Sequence, residues 1–343
     1  MMLLLCGVAS SADAALPAWT PGPSGGLAFE SSDFMKLASY SNPDRLGLDC
    51  APDGAYSPLN RSWDVDHQGH WRIEEQRYGF EAVAGGLAWN RQDVLARAER
   101  IFDWGFSQQQ PDGSFACDDA YHSTSFFVEA VAHARLLIQA SALGPENEPW
   151  VDRVKPKLAL AAHWMADPAV ESRGRRHDSP YNHRDYLDAA ALGETGVLCG
   201  EPLLVRRSWT YAVQGIGRQA PDGFNPEKGG WDTSYHAVGL DFAITYYSLV
   251  ADEAMRSRLR PMIERGLTWL EGRLRPDGSV DQSGNTRSGA RQEKGPNGTY
   301  KTMSYGSAWR AAYAWAMITR DPRWERMAAD LVKGKRAERK RPH

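Results

Sequence analysis

The sequence is short of cysteine, of net charge and of long apolar runs, and each shortage removes a class of protein. Its four cysteines, Cys6, Cys50, Cys117 and Cys199, are too few for a disulfide-built scaffold and match no zinc-ligand spacing. Lys and Arg number 40 against 43 Asp and Glu, a net charge of −3. No global field would therefore draw nucleic acid or an anionic membrane. Nothing beyond the first residues is long and apolar enough to cross a bilayer, so no membrane insertion is expected. Strand-like alternation of β-branched residues is scarce. No run of acids suits carbocation or diphosphate chemistry.

The chain begins with a short apolar run, Met1 to Val8, that closes on Ala12-Asp13-Ala14. This resembles the end of a secretory signal peptide, although no basic residue precedes it. Residues 1–14 are read as a signal-peptide remnant and the protein as secreted or periplasmic. Without that segment three cysteines remain, so at most one intrachain disulfide can form, and buried free thiols are the expectation. The 13 Trp and 13 Tyr mostly fill a core, but such rings also stack on sugars.

What dominates the sequence is a repeat. Pro-Asp-Gly recurs at Pro52, Pro111, Pro221 and Pro276, at intervals of 59, 110 and 55 residues. The doubled interval implies a degenerate copy at Ala166-Asp167-Pro168, and Arg320-Asp321-Pro322 reads as another. Pro presets φ and Gly supplies φ > 0, so each copy marks a turn. Between the turns, apolar residues fall at helical spacing over 81–89, 94–106, 125–140, 151–165, 186–198, 203–219, 234–250, 256–273 and 304–318. Helix hairpins of about 55 residues, stacked side by side, predict an all-α (α/α) barrel or incomplete toroid. Small-residue runs such as Ala189-Ala190-Ala191 suit helices crowded round an axis. One such domain is expected over 15–334, followed by a basic tail over 335–343.

Each turn leads into a polar segment at the next helix start. Tyr121-His122 and Tyr235-His236 stand two repeat units apart, with Tyr181-Asn182-His183-Arg184 between them. A long, Gly-rich segment, 277–302, follows the last turn; loops of that length are usually functional or disordered. Around it Arg273, Arg275, Arg287, Arg291, Lys294 and Lys301 outnumber Asp277, Asp281 and Glu293, a balance suited to an anionic ligand such as a uronate. Equivalent helix starts converge on one mouth of a toroid, where these side chains would form a site.

The inventory favours one reaction. Glycoside hydrolysis uses two carboxyl groups flanking the bond. β-Elimination from a uronate instead needs donors to neutralise the C6 carboxylate, a base for the C5 proton and an acid for the leaving oxygen. Asn, His, Arg and Tyr can fill those roles.

The order Asn-His, then Tyr-His, then Arg and Tyr in a long loop, over about Pro180 to Trp309, resembles uronate polysaccharide lyases with (α/α) toroid folds, in particular the alginate and glucuronan lyases of polysaccharide lyase family 38. The resemblance implies Asn182 as carboxylate neutraliser with His183 beside it, His236 in proton transfer or neutralisation, Arg287 or Arg291 on the substrate charge, and Tyr300 as base and acid. Tyr305 could take the place of Tyr300, and Glu227 could orient His236. Tyr121, His122, Trp231 and Tyr235 complete the expected substrate contacts, Trp231 by stacking. An anionic polysaccharide is the expected partner.

Asp64, Asp66, His67 and His70 lie close together, but their spacing fits no ligand pattern, and no metal or cofactor is expected. Two other readings stay open: a hydrolase using Asp118, Asp119, Asp232 or Glu227, and a polysaccharide-binding protein without catalysis.

Overall fold

Five helices are rich in small residues and buried round most of their circumference: α2 (Gly79–Ala88), α4 (Ala120–Ala140), α7 (Asn182–Cys199), α9 (Thr233–Leu249) and α11 (Tyr305–Thr319). Each is followed by a helix with a single apolar stripe: α3 (Gln92–Ser107), α5 (Gly144–Ala166), α8 (Pro202–Arg218), α10 (Glu253–Glu271) and α12 (Pro322–Glu338). An inner and an outer layer follow from that difference, because only a helix apolar on all sides can be surrounded by others. Residues such as Ala189, Ala190, Ala191, Ala311 and Ala312, all fully buried, let the inner helices approach. The computed structural model describes residues 28–56, 73–117, 119–289, 292–294 and 299–338. Over these the fold is the all-α toroid of helix hairpins, with α2, α4, α7, α9 and α11 packed in sequence round the axis.

The Pro-Asp-Gly repeat has one structural meaning at all four sites. The Gly N–H donates to the residue three before it, and that residue's own N–H donates back across the turn, as in Gly113 to Gln110 (2.9 Å) and Gln110 to Ser114 (2.8 Å). Gly54, Gly113, Gly223 and Gly278 have φ of +107°, +94°, +107° and +80°. The turn also docks on the outer helix of its own unit. A Cβ at Gly54 or Gly223 would stand 2.6 Å from the carbonyl oxygen of Arg100 or Arg265, and at Gly113 or Gly278 closer still to that of Leu160 or Asp330. Glycine is required twice over, by conformation and by space.

Both degenerate copies differ from the expectation. Asp167 is an N-cap, accepting from the N–H groups of Ala169 and Val170, and starts an additional helix, α6 (Pro168–Asp178). Arg320, left-handed at φ +57°, ends α11 before Pro322 opens α12. That junction joins an inner to an outer helix, the reverse of the Pro-Asp-Gly connection. Helix α12 continues through Glu338, into the segment read as a basic tail.

Between α11 and α2 the ring is filled by the segment around α1 (Asp33–Ala38). Arg310 on α11 donates to Glu30, whose other partner is the Tyr40 hydroxyl at 2.5 Å. Trp309 donates to Ser39 at 3.1 Å, and the rings of Phe34 and Tyr313 stack at 4.1 Å.

Candidate active site

Because every inner helix runs the same way, their N-termini share one end of the toroid, and a cavity of about 710 Å³ opens there. The third residue of α4, α7 and α9 faces it in each case: His122, Arg184 and Tyr235. His183 lies beside them. A 3₁₀ turn, Glu74–Tyr78, adds Glu74 and Arg77, and the end of α6 adds His177. Among the described residues six cations line the cavity, Arg77, Arg184, Lys228, Arg287, Lys294 and Lys301, against three carboxylates, Glu74, Asp119 and Glu293. Helix N-termini add to the positive field.

Glu227 organises the floor. Its segment pairs with Tyr181 and turns back on Gly230, which buries the carboxylate completely. One oxygen accepts from the backbone N–H of His183 (3.0 Å) and lies 2.7 Å from its Nδ1; the other accepts from Arg287 (3.3 Å). Burial pushes the Glu227 carboxyl up, but His183 and Arg287 outweigh it and hold it below the usual carboxylate range. Burial pulls His183 down against the opposing charge of Glu227, with Arg287 and Arg184 adding to the fall. The neutral ring therefore keeps its proton on Nδ1, toward Glu227, and leaves Nε2 as a base.

Arg287 lies with its guanidinium carbon 3.6 Å from the Tyr235 ring centroid and 4.5 Å from that of Tyr181, and donates to Glu293 at 3.2 Å. Glu293 also pairs with Lys228 and, at 2.6 Å, with Lys301. Its burial is overcome by these cations, and its carboxyl is held down at about 2. Asp232 ties Arg287 and Ser288 of the loop to the start of α9. It accepts from the N–H groups of Tyr235, Arg287 and Ser288 and from the Ser288 hydroxyl. His183 and Tyr235 stand 4.8 Å apart between ring centroids, and His183 and His122 6.4 Å. Burial, reinforced by Arg184 and His183, pulls His122 well below the ordinary histidine value.

Of the residues singled out in the sequence, the structure brings together His122, His183, Tyr235 and Arg287, with Glu227 directly behind. Asp119, Arg184, Lys294 and Lys301, also noted in the sequence, line the same cavity, and the remaining candidates are placed elsewhere. Asn182 is fully buried and turned toward the Gly215 carbonyl on α8. His236 is fully buried between the Asn225 N–H and the Gly266 carbonyl, and burial pulls it down to about 4. Tyr121 meets the Tyr211 hydroxyl at 2.6 Å. Trp231 packs against Phe224 and Arg273. Tyr300 is 43% exposed and outside the cavity, while Tyr305 is buried with its hydroxyl on the Val280 N–H. Arg291, Asp118, Asp64, Asp66, His67, His70 and residues 1–14 lie outside the described residues. Glu74, Arg77 and His177 were not anticipated as site residues; Tyr181 and Arg184 stood in the helix-start segment that carried the signal, and Lys301 and Glu293 in the long loop, without individual roles.

No protein-family model matches the chain, and no curated protein matches it in sequence. In structure it is similar to a possible member of the GH105 family from Salmonella enterica serovar Paratyphi A, with a TM-score of 0.50 and 12% identity over 90% of this chain and 79% of that one. It is equally similar to a type II terpene cyclase from Scytonema, with a TM-score of 0.50 and 16% identity over 91% and 83% of the two chains. These likenesses show the toroid. A fold common to two such proteins does not choose a reaction, which has to be argued from the site.

Proposed function

We propose that this chain is a polysaccharide lyase that cleaves a uronate-containing polymer, of alginate or glucuronan type, by β-elimination outside the cytoplasm. The observation that carries the reading is the Glu227-held His183, with Tyr235 beside it, at the floor of a cation-lined cavity. A uronate carboxylate would lie against the cations, among them Arg184, Lys301 and the Arg287 stack, which stabilise charge developing on the C6 carboxylate as the C5 proton leaves. His183 Nε2 takes that proton, the C4–O4 bond breaks, the C4=C5 double bond forms, and the Tyr235 hydroxyl protonates the departing oxygen.

Hydrolysis has less to work with. It needs two carboxyl groups facing the sugar, but Glu74 is paired with Arg77, Glu293 with three cations, and Asp119 flanks Arg184. Asp232 and Glu227 are fully buried.

Incubation with alginate, glucuronan, pectate and glycosaminoglycans, followed by ultraviolet absorbance and reducing-end counts, tests the reading. Elimination gives absorbance from a conjugated double bond together with new ends. New ends without absorbance mean hydrolysis, and binding without new ends means a non-catalytic protein.

A further inference from the structure

A second cluster of ligating side chains lies deep in the ring, away from the cavity. Glu129 and His133 are one turn apart on α4, and Glu194 faces them from α7; their ligand atoms all lie within 4.8 Å of one another. All three residues are buried. Glu129 stands seven residues beyond His122 and Glu194 eleven beyond His183, roughly 10–16 Å along the helices at about 1.5 Å per residue. The cluster is therefore two to three turns below the cavity floor.

Glu194 is what makes this more than a group of acids. It is fully buried, and among the described residues neither carboxylate oxygen has a hydrogen-bond partner. Burial and the like charge of Glu129 both push its carboxyl well above the ordinary range, and no cation opposes them. A fully buried, unpartnered carboxylate beside a second one is costly unless a proton or a cation joins them. His133 contributes a nitrogen, with Nδ1 3.6 Å from Glu129, and its ring is set against Phe80 at 4.6 Å. His133 and Asp241 also border a small void of about 10 Å³, on the order of one water. Ligands bound at about 2.0–2.2 Å to one ion stand roughly 3–4.4 Å apart, so small side-chain shifts close the three round a cation. One imidazole and two carboxylates form a donor set that suits a divalent first-row transition metal.

We propose that Glu129, His133 and Glu194 bind one such divalent cation, which ties α4 to α7 inside the toroid and has a structural role separate from the cavity chemistry. The test uses the full chain, stripped with chelator, exposed separately to Zn²⁺ and Mn²⁺, gel-filtered and assayed for metal by mass spectrometry. The wild type should retain about one equivalent of at least one ion and unfold at a higher temperature with it. Glu194→Gln and His133→Ala should retain less than about a tenth as much, with helicity by circular dichroism showing that they are folded. If His133→Ala does not fold, Glu194→Gln, which exchanges one oxygen for nitrogen, decides alone. Asp119, His177 and Asp178 at the cavity mouth are the other such group among the described residues, so His177→Ala must keep the equivalent. A wild type that retains neither ion, retention by Glu194→Gln, or loss in His177→Ala would each overturn the proposal. The first of these, with Glu194→Gln more stable than wild type, would mean that the two glutamates share a proton.

Discussion

Glu227 holds His183 at two points, accepting its backbone N–H at 3.0 Å and approaching its Nδ1 at 2.7 Å, so ring and backbone are fixed by one carboxylate. The same carboxylate accepts from Arg287, which couples the base to the cation stacked on Tyr235.

Glu227→Gln should therefore lower kcat by roughly 10²-fold or more, because the amide no longer selects the tautomer with a free Nε2. It should also destabilise the fold by about 3 kcal/mol, since Arg287 loses a buried partner. Turnover by absorbance and urea unfolding of the same samples check both.

The rate should rise with pH through a midpoint below the ordinary histidine value and be flat near neutrality, because His183 must be neutral to act and its environment already holds it down. Glu227 is the largest influence that raises His183. Removing its charge in Glu227→Gln should move the acid limb to still lower pH even as the rate falls. A pH–rate series on both proteins reads the shift; an acid limb that moved upward would reverse the assigned electrostatics.

His236 gives a separate dependence, in stability. Its folded value of about 4 is below the unfolded value of about 6.5. Between the two the unfolded chain binds the extra proton, so its contribution is intact above about pH 6.5 and is lost as pH falls toward 4, on the order of 3 kcal/mol in all. Unfolding free energies across that range should fall less steeply in His236→Gln.

At the turns, Gly223→Ala should destabilise by more than Gly229→Ala. Both positions have positive φ, but a Cβ at Gly223 meets the Arg265 carbonyl at 2.6 Å, whereas at Gly229 none of the described residues lies within 4 Å. About 1 kcal/mol of strain is expected at Gly229 and roughly 2–4 kcal/mol at Gly223, read by urea unfolding.

The toroid was legible because Pro-Asp-Gly has one geometric use here: its glycine must be left-handed and must touch the outer helix, so the motif marks every place where the turn forms. Helix α6 was not legible. It is mostly charged and polar, buries two acids, Glu171 and Asp178, beside Val170 and Gly174, and shows no apolar stripe. At the site, the repeat located the helix starts but not the rotation of each helix. Tyr121-His122 and Tyr235-His236 look equivalent in sequence, yet α4 begins at Ala120 and α9 at Thr233. The third helical residue is then His122 in one and Tyr235 in the other, and the neighbouring Tyr121 and His236 turn into the wall by about 100°. Asn182 is misplaced for the same reason, one residue before His183. Arg184 stood in the expected segment, but that it rather than Asn182 faces the cavity follows only from the helical phase.

The most direct test of the account is the absorbance assay run on wild type, His183→Ala and Tyr300→Phe, with reducing ends counted in parallel on whichever uronate polymer the wild type cleaves. The account predicts a conjugated product from wild type and from Tyr300→Phe at similar rates, and none from His183→Ala. New ends without absorbance from the wild type, or an active His183→Ala beside an inactive Tyr300→Phe, would contradict it.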